Sequence, residues 1–476
     1  MHRFRLFFIW SLLLLAVAGL PLLTGCNKLL NAGSPTDKVI TSQVYSSDTL
    51  AQAAVIGIYF KMMEVLGPLN GFMSRYPGLS SDELSRTSVL AEDQPFLTNT
   101  LTTDNLIVWQ TWANSYTYIY QCNDVITGLT GNHSITPILR NQLLGEAYFL
   151  RAFSYFYLVN LFGDVPLILS TDYTKSVNTP RTAVDAVYDQ MIADLTEAQN
   201  LLIDAYATTS DFPGARVRVN RLAVKALLAR IYLYREQWAE ADSAATEVIQ
   251  SSLYQLETDL NQTFRYNSRE AILQFMSVST AFNTAEGFLF VPLVPTGRPA
   301  FTLSDTLLKY IEPDDRRQAW IRIVTVSGKQ YKSPYKYKQN LATTPRDEYN
   351  MVLRLAEQYC IRAEARARLD RLPDAVSDLN AIRRRAGLQG LTTISTQTQV
   401  LAAIEQERRI ELFAEWGHRW FDLKRWPARA NDGKKRIDEI MSALRPDTWK
   451  STAALWPIPS LERTRNKELT PNPGYE

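Results

Sequence analysis

The sequence LAVKALLARIYLYREQWAEADSAATEVI occupies Leu222–Ile249, and its pattern decides the fold. Apolar residues recur every three or four positions in two consecutive blocks, which predicts two amphipathic helices joined by a short turn. The sequence of Ala356–Arg383 has the same pattern. Residues that allow two helices to approach closely fall at matching positions, namely Ala229, Ala241 and Val248 in the first stretch and Ala363, Ala375 and Ile382 in the second.

Both stretches predict helix pairs of the tetratricopeptide type, in which a pair buries its apolar face only by stacking on its neighbours. Trp238 and Leu372 are predicted to open the second helix of each pair. Leu143–Phe162 fits the first helix of another pair, and Val184–Leu202 fits its second helix. The predicted fold class is mainly α, a superhelical scaffold of helix pairs over about residues 109–250 and 351–426. Further helices are predicted over Leu50–Leu66 and Trp109–Leu129.

Between these repeats the composition shifts towards Pro, Gly, Thr and aromatic residues. Long loops in a compact protein are usually functional or disordered, and aromatic content favours order. Residues 67–105 and 252–348 are therefore predicted to form irregular but ordered segments with a few short strands. Ser327 and Gly328 separate two strand-like runs and predict a short hairpin. The Pro-rich tail from Pro446 onwards is predicted to be extended.

The chain begins with the features of a bacterial lipoprotein signal. Two arginines precede an apolar run over Leu6–Leu23, which ends in the letters LTGC at residues 23–26. This layout predicts a signal peptide over residues 1–25 that is removed. Cys26 is then the predicted lipid anchor, carrying a diacylglyceryl group and acyl chains such as palmitate. The rival reading is a transmembrane anchor, for which the run is near the lower length limit.

Composition narrows the class of protein. The 476 residues have a formal net charge of +2, with 46% hydrophobic and 21% charged residues, which is ordinary for a globular protein. A nucleic-acid-binding protein usually has a basic excess, so that class is set aside. The basic runs at residues 383–385 and 434–436 are predicted to be solvated helix faces. Cys122 and Cys360 fall in apolar helical patterns typical of buried thiols, and a disulfide between them stays open.

Compact motifs of the common enzyme classes do not occur in the sequence. It contains no Gly-rich phosphate loop, no paired-His zinc helix and no Gly-x-Ser-x-Gly elbow. Residues 333–336 match Ser-x-x-Lys, but they lie in a strand-like, Pro-interrupted stretch. The three His residues are too few for a His-rich metal site. No catalytic, cofactor-binding or metal-binding residue is predicted, and a structural metal ion stays open. A glycosidase pair of carboxylates stays open, because its geometry is spatial rather than sequential.

Several strings then occur in a distinctive order along the chain. They are CNKLL at 26–30 with AVIGIY at 54–59, SSDE at 80–83, EAYFLRA at 146–152 followed by FGDVPL at 162–167, the stretch 356–365 with DLN at 378–380 and RRRAGL at 383–388, ERR at 407–409 leading to WGHRWFDLKR at 416–425, and LWPIP at 455–459 with NPGY at 472–475. In these strings the chain resembles the SusD/RagB family of Bacteroidetes outer-membrane lipoproteins. The strings extend over nearly the whole chain after Cys26.

The resemblance implies a tetratricopeptide-like scaffold with an irregular, ligand-facing part. It implies a lipid-anchored protein at the outer membrane, facing the cell exterior, that binds an oligosaccharide or in some systems a peptide. It also implies a partner, a SusC-like TonB-dependent transporter, which receives the ligand without catalysis. Residues 26–48 are expected to form the lipidated tether and residues 49–476 a single SusD-like domain. Two rivals remain, an α-helical glycoside hydrolase on a lipid anchor and a tetratricopeptide-like envelope scaffold.

Sugar binding uses aromatic faces with polar groups beside them, and the irregular segments contain such residues. The candidate ligand-binding residues in the first segment are Arg75, Tyr76, Asp82, Phe96 and Asn99. Those in the second segment are Phe282, Asn283, Phe288 and Trp320. For each of them a place in the core is the commoner alternative. Helix aromatics such as Trp112 and Tyr155 are expected in the core, and residues 417–426 are expected to pack, pair and cap rather than catalyse.

Overall fold

The computed structural model describes residues 41–64, 66–207, 215–430 and 432–476. The predicted signal peptide, Cys26 and most of the tether lie outside these residues, so lipidation stays a prediction. Within the described ranges, no helix combines the length and the apolar character that crossing a membrane would require.

Helices make up most of the described secondary structure. In chain order they are α1 Thr41–Val44, α2 Asp48–Met62, α3 Phe72–Ser80, α4 Gln94–Thr98, α5 Leu106–Leu129, α6 Pro137–Phe162, α7 Tyr173–Ser176, α8 Val184–Leu201, α9 Arg221–Tyr234, α10 Trp238–Ile249, α11 Ala285–Phe290, α12 Asp305–Leu308, α13 Leu355–Arg368, α14 Leu372–Arg385, α15 Gln397–Glu411, α16 His418–Arg425, α17 Arg436–Leu444 and α18 Ser460–Arg465. Short 3-10 turns occupy Leu260–Gln262, Arg316–Trp320 and Ser451–Ala454.

The strands are short and form two-stranded antiparallel sheets. They are β1 Leu84–Arg86, β2 Ala271–Phe275, β3 Phe301–Leu303, β4 Ile321–Val326, β5 Lys329–Pro334 and β6 Asn350–Arg354, paired as β1 with β3, β2 with β6 and β4 with β5. The predicted hairpin is confirmed as β4–β5. Its turn residues Ser327 and Gly328 both have positive φ angles, as the favoured two-residue hairpin turn requires.

The predicted helix pairs are confirmed as α9–α10 and α13–α14. Trp238 and Leu372 are the first residues of the second helices, as expected. All the matched small residues are fully buried, because the two helices of each pair approach closely there. Helices α5, α6, α8, α9, α10, α13 and α14 contact one another in succession. This order is the stacking that a tetratricopeptide-like scaffold predicts.

Helix boundaries follow from local chemistry. Asn105 caps α5, because its Oδ1 accepts from the backbone amides of Ile107 and Val108 at 3.0 and 3.1 Å. Helix α6 ends at Gly163, whose φ of 73° is easy only for glycine. Thr396 opens α15 with a capping box. Such caps satisfy the amide groups that have no partner inside the helix.

Four expectations about local structure are corrected. The segment 67–105 contains α3 and α4, and the tail after Pro446 contains α18, so neither is wholly irregular. The run 383–385 is not a solvated face: the side chains of Arg383 and Arg385 are buried in ion pairs, and only Arg384 is exposed. In the run 434–436, Arg436 is also buried. The prediction that basic runs lie in solvent was wrong for these arginines, because the fold buries them beside carboxylates or other polar groups.

Cys122 and Cys360 are free, buried thiols rather than a disulfide. Burial raises the pKa of Cys122 to about 12, so this thiol stays protonated and packs as a small apolar group. One large cluster of buried apolar residues includes side chains from Tyr45 to Leu469. The two ends of the described chain therefore contribute to the same core.

Candidate functional site

The first predicted set, in residues 67–105, lies inside the protein. Arg75 donates from Nε to Asp93 at 2.9 Å and pairs with Glu92. The Tyr76 ring packs 4.3 Å from that of Phe96, and both are almost fully buried. These contacts are structural, and they leave little ring surface for a ligand.

Asp82 and Asn99 are equally enclosed. Arg419 binds Asp82 through Nε at 2.7 Å and Nη2 at 3.0 Å. Burial alone would raise the pKa of Asp82, but Arg419 and Arg409 outweigh it and hold the pKa below its usual value. Asn99 donates from Nδ2 to the Ser80 carbonyl at 3.2 Å and accepts from Arg445. Both side chains therefore tie the segment after α3 to later helices.

Of the second predicted set, only Phe288 has a substantial exposed area, at 40%. Its ring stacks on buried Phe282 with centroids 5.1 Å apart. Asn283 donates from Nδ2 to Thr343 and Asp347 at 2.9 and 3.0 Å. The structure thus gives eight of the nine predicted ligand contacts a place in the interior, the alternative that sequence favoured for each. Ligand binding by Phe288 stays a prediction.

Trp320, the ninth residue, lies over a group of enclosed charges. Its Nε1 donates to the Leu260 carbonyl at 3.0 Å, and its ring faces the cations of Lys336, Arg354 and Arg385. We call the following residues the buried charge cluster: Glu270, Arg317, Lys336, Arg354, Arg385, Glu407, Glu411 and Glu415.

Arg354 is at the centre of this cluster. It donates to Glu415 at 2.8 Å, to Glu270 at 2.9 Å and to Glu411 at 2.6 Å. Burial would raise the pKa of Glu411, but Arg385 and Arg354 hold it far below its usual range. Burial lowers the pKa of Lys336 to about 8 despite Glu415 beside it. Such a closed network has no room for a substrate, and its role is to join β6, α14 and α15.

The described surface offers a better candidate site beside α5. Two adjoining depressions, of about 290 and 420 Å³, share one wall. Trp112, Tyr116 and Tyr120 follow one another at four-residue spacing, so they form a stripe along one face of the helix. Trp112 is buried against Phe162, at 5.0 Å between centroids, whereas Tyr120 is 54% exposed. The stripe thus runs from the core to the surface.

The opposite wall comes from the segment after α6. Pro166 and Ile168 line the depression there, together with Tyr173 on α7, whose side chain is 75% exposed. Tyr116 donates from its hydroxyl to the Pro166 carbonyl at 2.8 Å. Burial raises the pKa of Tyr116 well above its usual value, so this hydroxyl remains a donor. The Ile168 carbonyl is fixed by Tyr155 at 3.0 Å.

The third wall is the C-terminal segment around α18. Trp109 donates from Nε1 to Glu462 at 3.0 Å, and Arg465 donates to the same carboxylate at 3.1 Å. Asn466 donates to the Thr179 carbonyl at 2.9 Å. These bonds hold the C-terminal segment against both other walls, so the depression has a fixed shape before any ligand enters.

The NPGY string explains how the third wall stays in place. Asn472 is buried, and its Nδ2 donates to the carbonyls of Phe162 and Trp456, each at 2.8 Å. Arg181 donates to the Thr470 carbonyl at 3.0 Å and also to Asn472. This string, one of those that carry the resemblance to the family, therefore holds the C-terminal end of the chain against the helical scaffold.

We call this depression the aromatic groove. Its lining consists of Trp112, Ala113, Tyr116, Thr117, Tyr120, Pro166, Ile168, Ser170, Thr171, Tyr173, Ser176, Val177, Glu462, Arg465, Asn466 and Leu469. Exposed Tyr120 and Tyr173 offer apolar ring faces, and the hydroxyl, amide, carboxylate and guanidinium groups beside them offer hydrogen bonds. Concave sites with this mixture are typical of small-molecule binding. Among the described residues, no group of His, Cys, Asp or Glu is arranged to hold a metal ion.

Comparisons with known proteins agree with this architecture. A model described as "SusD family" matches residues 329–475. A model described as "Starch-binding associating with outer membrane" matches residues 59–233. Together the two matches cover more than half of the chain. The chain belongs to the SusD/RagB family.

Relatives of this SusD/RagB family member share low identity over most of their length. SusD-like protein P38 of Formosa agariphila is 23% identical, over 98% of this chain and 99% of the relative. The crystal structure of a SusD superfamily protein from Bacteroides vulgatus superposes with a TM-score of 0.77 at 21% identity, covering 90% of this chain and 99% of that one. A SusD-like carbohydrate binding protein from the same species gives 0.73 at 22% identity, with 89% and 97% covered. These likenesses show the fold.

Sequence reasoning missed most of the groove. The four-residue spacing of Trp112, Tyr116 and Tyr120 is typical of a core-facing helix stripe, so it gave no sign that the stripe ends at the surface. The sequence gave a weak indication that Tyr173 is a surface aromatic residue, since it lies inside the polar run Ser170–Lys175. Glu462 and Arg465 gave none, because the tail was predicted to be extended.

Proposed function

We propose that this SusD/RagB family protein captures an oligosaccharide in the aromatic groove at the outer membrane and passes it to a SusC-like TonB-dependent transporter. Capture involves no covalent chemistry. A lipid on Cys26 anchors the chain, which faces the cell exterior, and residues 49–476 act as a single domain. The observation that carries the proposal is the groove itself, with two exposed tyrosine rings facing a polar rim.

The two exposed rings suit a sugar. Tyr120 and Tyr173 are 54% and 75% exposed, which leaves ring surface for the apolar C–H face of a pyranose. The neighbouring Ser170, Thr171 and Asn466 supply donors and acceptors for sugar hydroxyls. A preformed site loses less conformational entropy on binding, and the bonds that fix Glu462 and Asn466 provide such a site.

The groove favours binding over hydrolysis. Glycoside hydrolysis normally uses two carboxyl groups about 5–9.5 Å apart across the scissile bond. Glu462 is the one carboxylate among the described residues that line the groove. Its Oε1 already accepts hydrogen bonds from Trp109 and Arg465. This wall therefore has an orienting role rather than the acid–base pair of a hydrolase.

Known proteins support the ligand class and the location. The family model over residues 59–233 is described as starch-binding and as associating with the outer membrane. One protein of the same fold is described as a SusD-like carbohydrate binding protein. Stacked helix pairs present broad surfaces to partner proteins, which supports docking of the transporter on the helical scaffold.

The test is calorimetric titration of the full chain, purified in detergent, with a panel of neutral oligosaccharides. We expect saturable binding without release of product. Removal of both groove rings, in the variant Tyr120→Ala/Tyr173→Ala, is expected to weaken binding at least about tenfold, because each stacked ring contributes on the order of 1 kcal/mol. Phe60→Ala is the matched control, since Phe60 is a helix aromatic with 50% exposure outside the groove.

Three results would contradict the proposal. Release of a smaller glycan would favour the hydrolase. Equal affinity of the double variant and the Phe60→Ala control would place binding outside the groove. Capture of a TonB-dependent transporter without any glycan binding would favour the scaffold.

A further inference from the structure

A second concave site lies at the other end of the helical stack, between the end of α10 and the helices α13 and α14. Its volume is about 350 Å³, and it shares no lining residue with the aromatic groove. Pockets of this size are large enough for a small ligand. We call it the basic pocket, because its described lining includes Arg316, Arg384 and Arg385 and no carboxylate.

Two of the three arginines in the lining, Arg316 and Arg384, form no ion pair within the described part of the chain. Arg384 is exposed on α14 and has no ion-pair partner among the described residues. Arg316 uses two of its nitrogens on carbonyls, those of Thr258 at 2.6 Å and Arg385 at 3.4 Å. Neither contact cancels its charge. Arg316 interacts electrostatically with Asp259, a surface carboxylate that is not part of the lining.

Arg385 forms the inner part of the pocket and is 93% buried. Its Nη2 pairs with Glu270 and Glu411 of the buried charge cluster. Its Nε and Nη1 have no hydrogen-bond partner among the described residues. These two nitrogens are themselves enclosed, so Arg384 and Arg316 are the arginines of the lining whose charge is available to a ligand.

The rest of the lining is largely apolar and aromatic. It consists of Ile249, Leu256 and Leu355, the aromatic residues Tyr254 and half-buried Tyr359, and the polar residues Gln255 and Thr258. A bare inorganic ion would gain nothing from such walls. A molecule with an apolar face and one anionic group would use both the walls and the guanidinium groups, because arginine matches oxyanion geometry with paired donors.

We propose that the basic pocket binds an acidic sugar residue, through a carboxylate or sulfate ester that is held by Arg384 and Arg316. The ring of the sugar lies against Leu355 and Tyr359. The pocket is independent of the aromatic groove, so one chain has separate sites for neutral and anionic parts of a glycan.

The test titrates the full chain in detergent with four probes: a galacturonate disaccharide, galactose 6-sulfate, a neutral galactose disaccharide and sodium sulfate. We expect at least one of the acidic sugars to bind. Arg384→Gln and Arg316→Gln are each expected to weaken its binding about tenfold or more, the effect of losing a charge-assisted hydrogen bond. Arg384→Lys, which keeps the charge, is expected to restore part of the affinity.

Arg298→Gln, an equal loss of charge at an exposed arginine outside the pocket, is the matched control and is expected to leave affinity unchanged. Melting temperatures of all variants verify folding. Failure of both acidic sugars to bind would overturn the proposal. So would sulfate binding as tightly as the acidic sugars, or equal losses in Arg384→Gln and Arg298→Gln. The variant Tyr120→Ala/Tyr173→Ala separates the two sites, since its acidic-sugar binding is expected to be intact even where neutral-glycan binding is lost.

Discussion

The buried charge cluster and the aromatic groove both combine arginine, glutamate and aromatic side chains, but the cluster is closed and the groove is open to solvent. In the cluster, Arg354 and Glu411 are almost fully buried, and the Arg354 Nη1 lies 2.6 Å from the Glu411 Oε1. In the groove, Tyr120 and Tyr173 are open to solvent, and the nearby charges lie on the rim. The difference teaches that the charged motifs of the cluster pack inside the scaffold, whereas the neutral-glycan binding that we propose uses aromatic rings that remain uncovered.

The largest expected effect comes from breaking the cluster at Arg354. Arg354→Met leaves three carboxylates without one of their cations, and we expect a loss of about 3–5 kcal/mol in the free energy of unfolding. Denaturant titration followed by circular dichroism measures it. Arg384→Met on the neighbouring surface is the control, with an expected change within about 0.5 kcal/mol. A loss below about 1 kcal/mol for Arg354→Met would show that the cluster does not depend on its central arginine.

The second effect concerns pH. Burial raises the pKa of Glu83 to about 7 from its ordinary 4.5, although the Ala414 amide and Lys336 oppose this. A carboxyl group with a raised folded-state pKa stabilises the fold below its unfolded pKa, and that contribution is lost as the pH rises through the folded value. Glu83 is thus expected to remove about 3 kcal/mol of stability between roughly pH 4.5 and 7.

The variant Glu83→Gln removes the ionisable carboxyl group and so isolates its contribution to the pH dependence of stability. Its free energy of unfolding is expected to fall less steeply than that of the unmodified protein over this range, with the difference reaching about 3 kcal/mol near pH 8. Denaturant unfolding at a series of pH values measures the difference. Glu64→Gln makes the same change on the surface and is the control. Parallel pH profiles for Glu83→Gln and the unmodified protein would contradict the assignment.

A third, smaller effect separates stability from binding in the groove. Tyr120→Ala is expected to weaken neutral-glycan binding by about fivefold, which corresponds to about 1 kcal/mol. Because the ring is more than half exposed, the free energy of unfolding is expected to change by less than about 0.5 kcal/mol. Calorimetry and denaturant unfolding measure the two quantities. A large stability loss with unchanged affinity would assign Tyr120 to the scaffold.

The smallest expected effect is that of salt. Stacking on Tyr120 and Tyr173 does not involve net charge, so raising the salt concentration from 0.05 to 0.5 M should change neutral-glycan affinity by less than about twofold. Acidic-sugar binding in the basic pocket should weaken clearly over the same range, since exposed charges are screened. Calorimetry at both salt concentrations measures this. Equal salt dependence for the two ligands would contradict the contrast between the sites.

Much of the fold could be predicted from the sequence, because each helix pair is specified by nearby residues. The alanines in the repeats, the glycine after α6 and the Ser-Gly turn act within a few positions along the chain. Prediction failed for Arg383 and Arg385, since a charged triplet looks solvated until partners such as Glu407 and Glu411 are known to face it.

The candidate ligand residues show the same limit more sharply. Tyr76, Phe96 and Trp320 are aromatic residues in loop-rich sequence, which favours exposure, yet long-range packing encloses them. The opposite holds in the groove. Tyr120 lies on a long helix, where an aromatic residue is ordinarily expected in the core, yet its side chain is exposed. Whether a side chain is exposed depends on which distant segments of the chain pack over it, and the neighbouring residues in the sequence do not determine that packing.

By itself, the sequence determined the helix-pair repeats, the hairpin, the absence of a basic excess and the resemblance to the SusD/RagB family. All of these depend on periodicity, turn chemistry or motif order along the chain. Only the tertiary structure decided that α18 meets α5 to close a groove, and that Arg316 and Arg384 meet across a pocket. The residues that build each site are far apart in sequence, and their meeting follows from packing of the whole core, which no local pattern encodes.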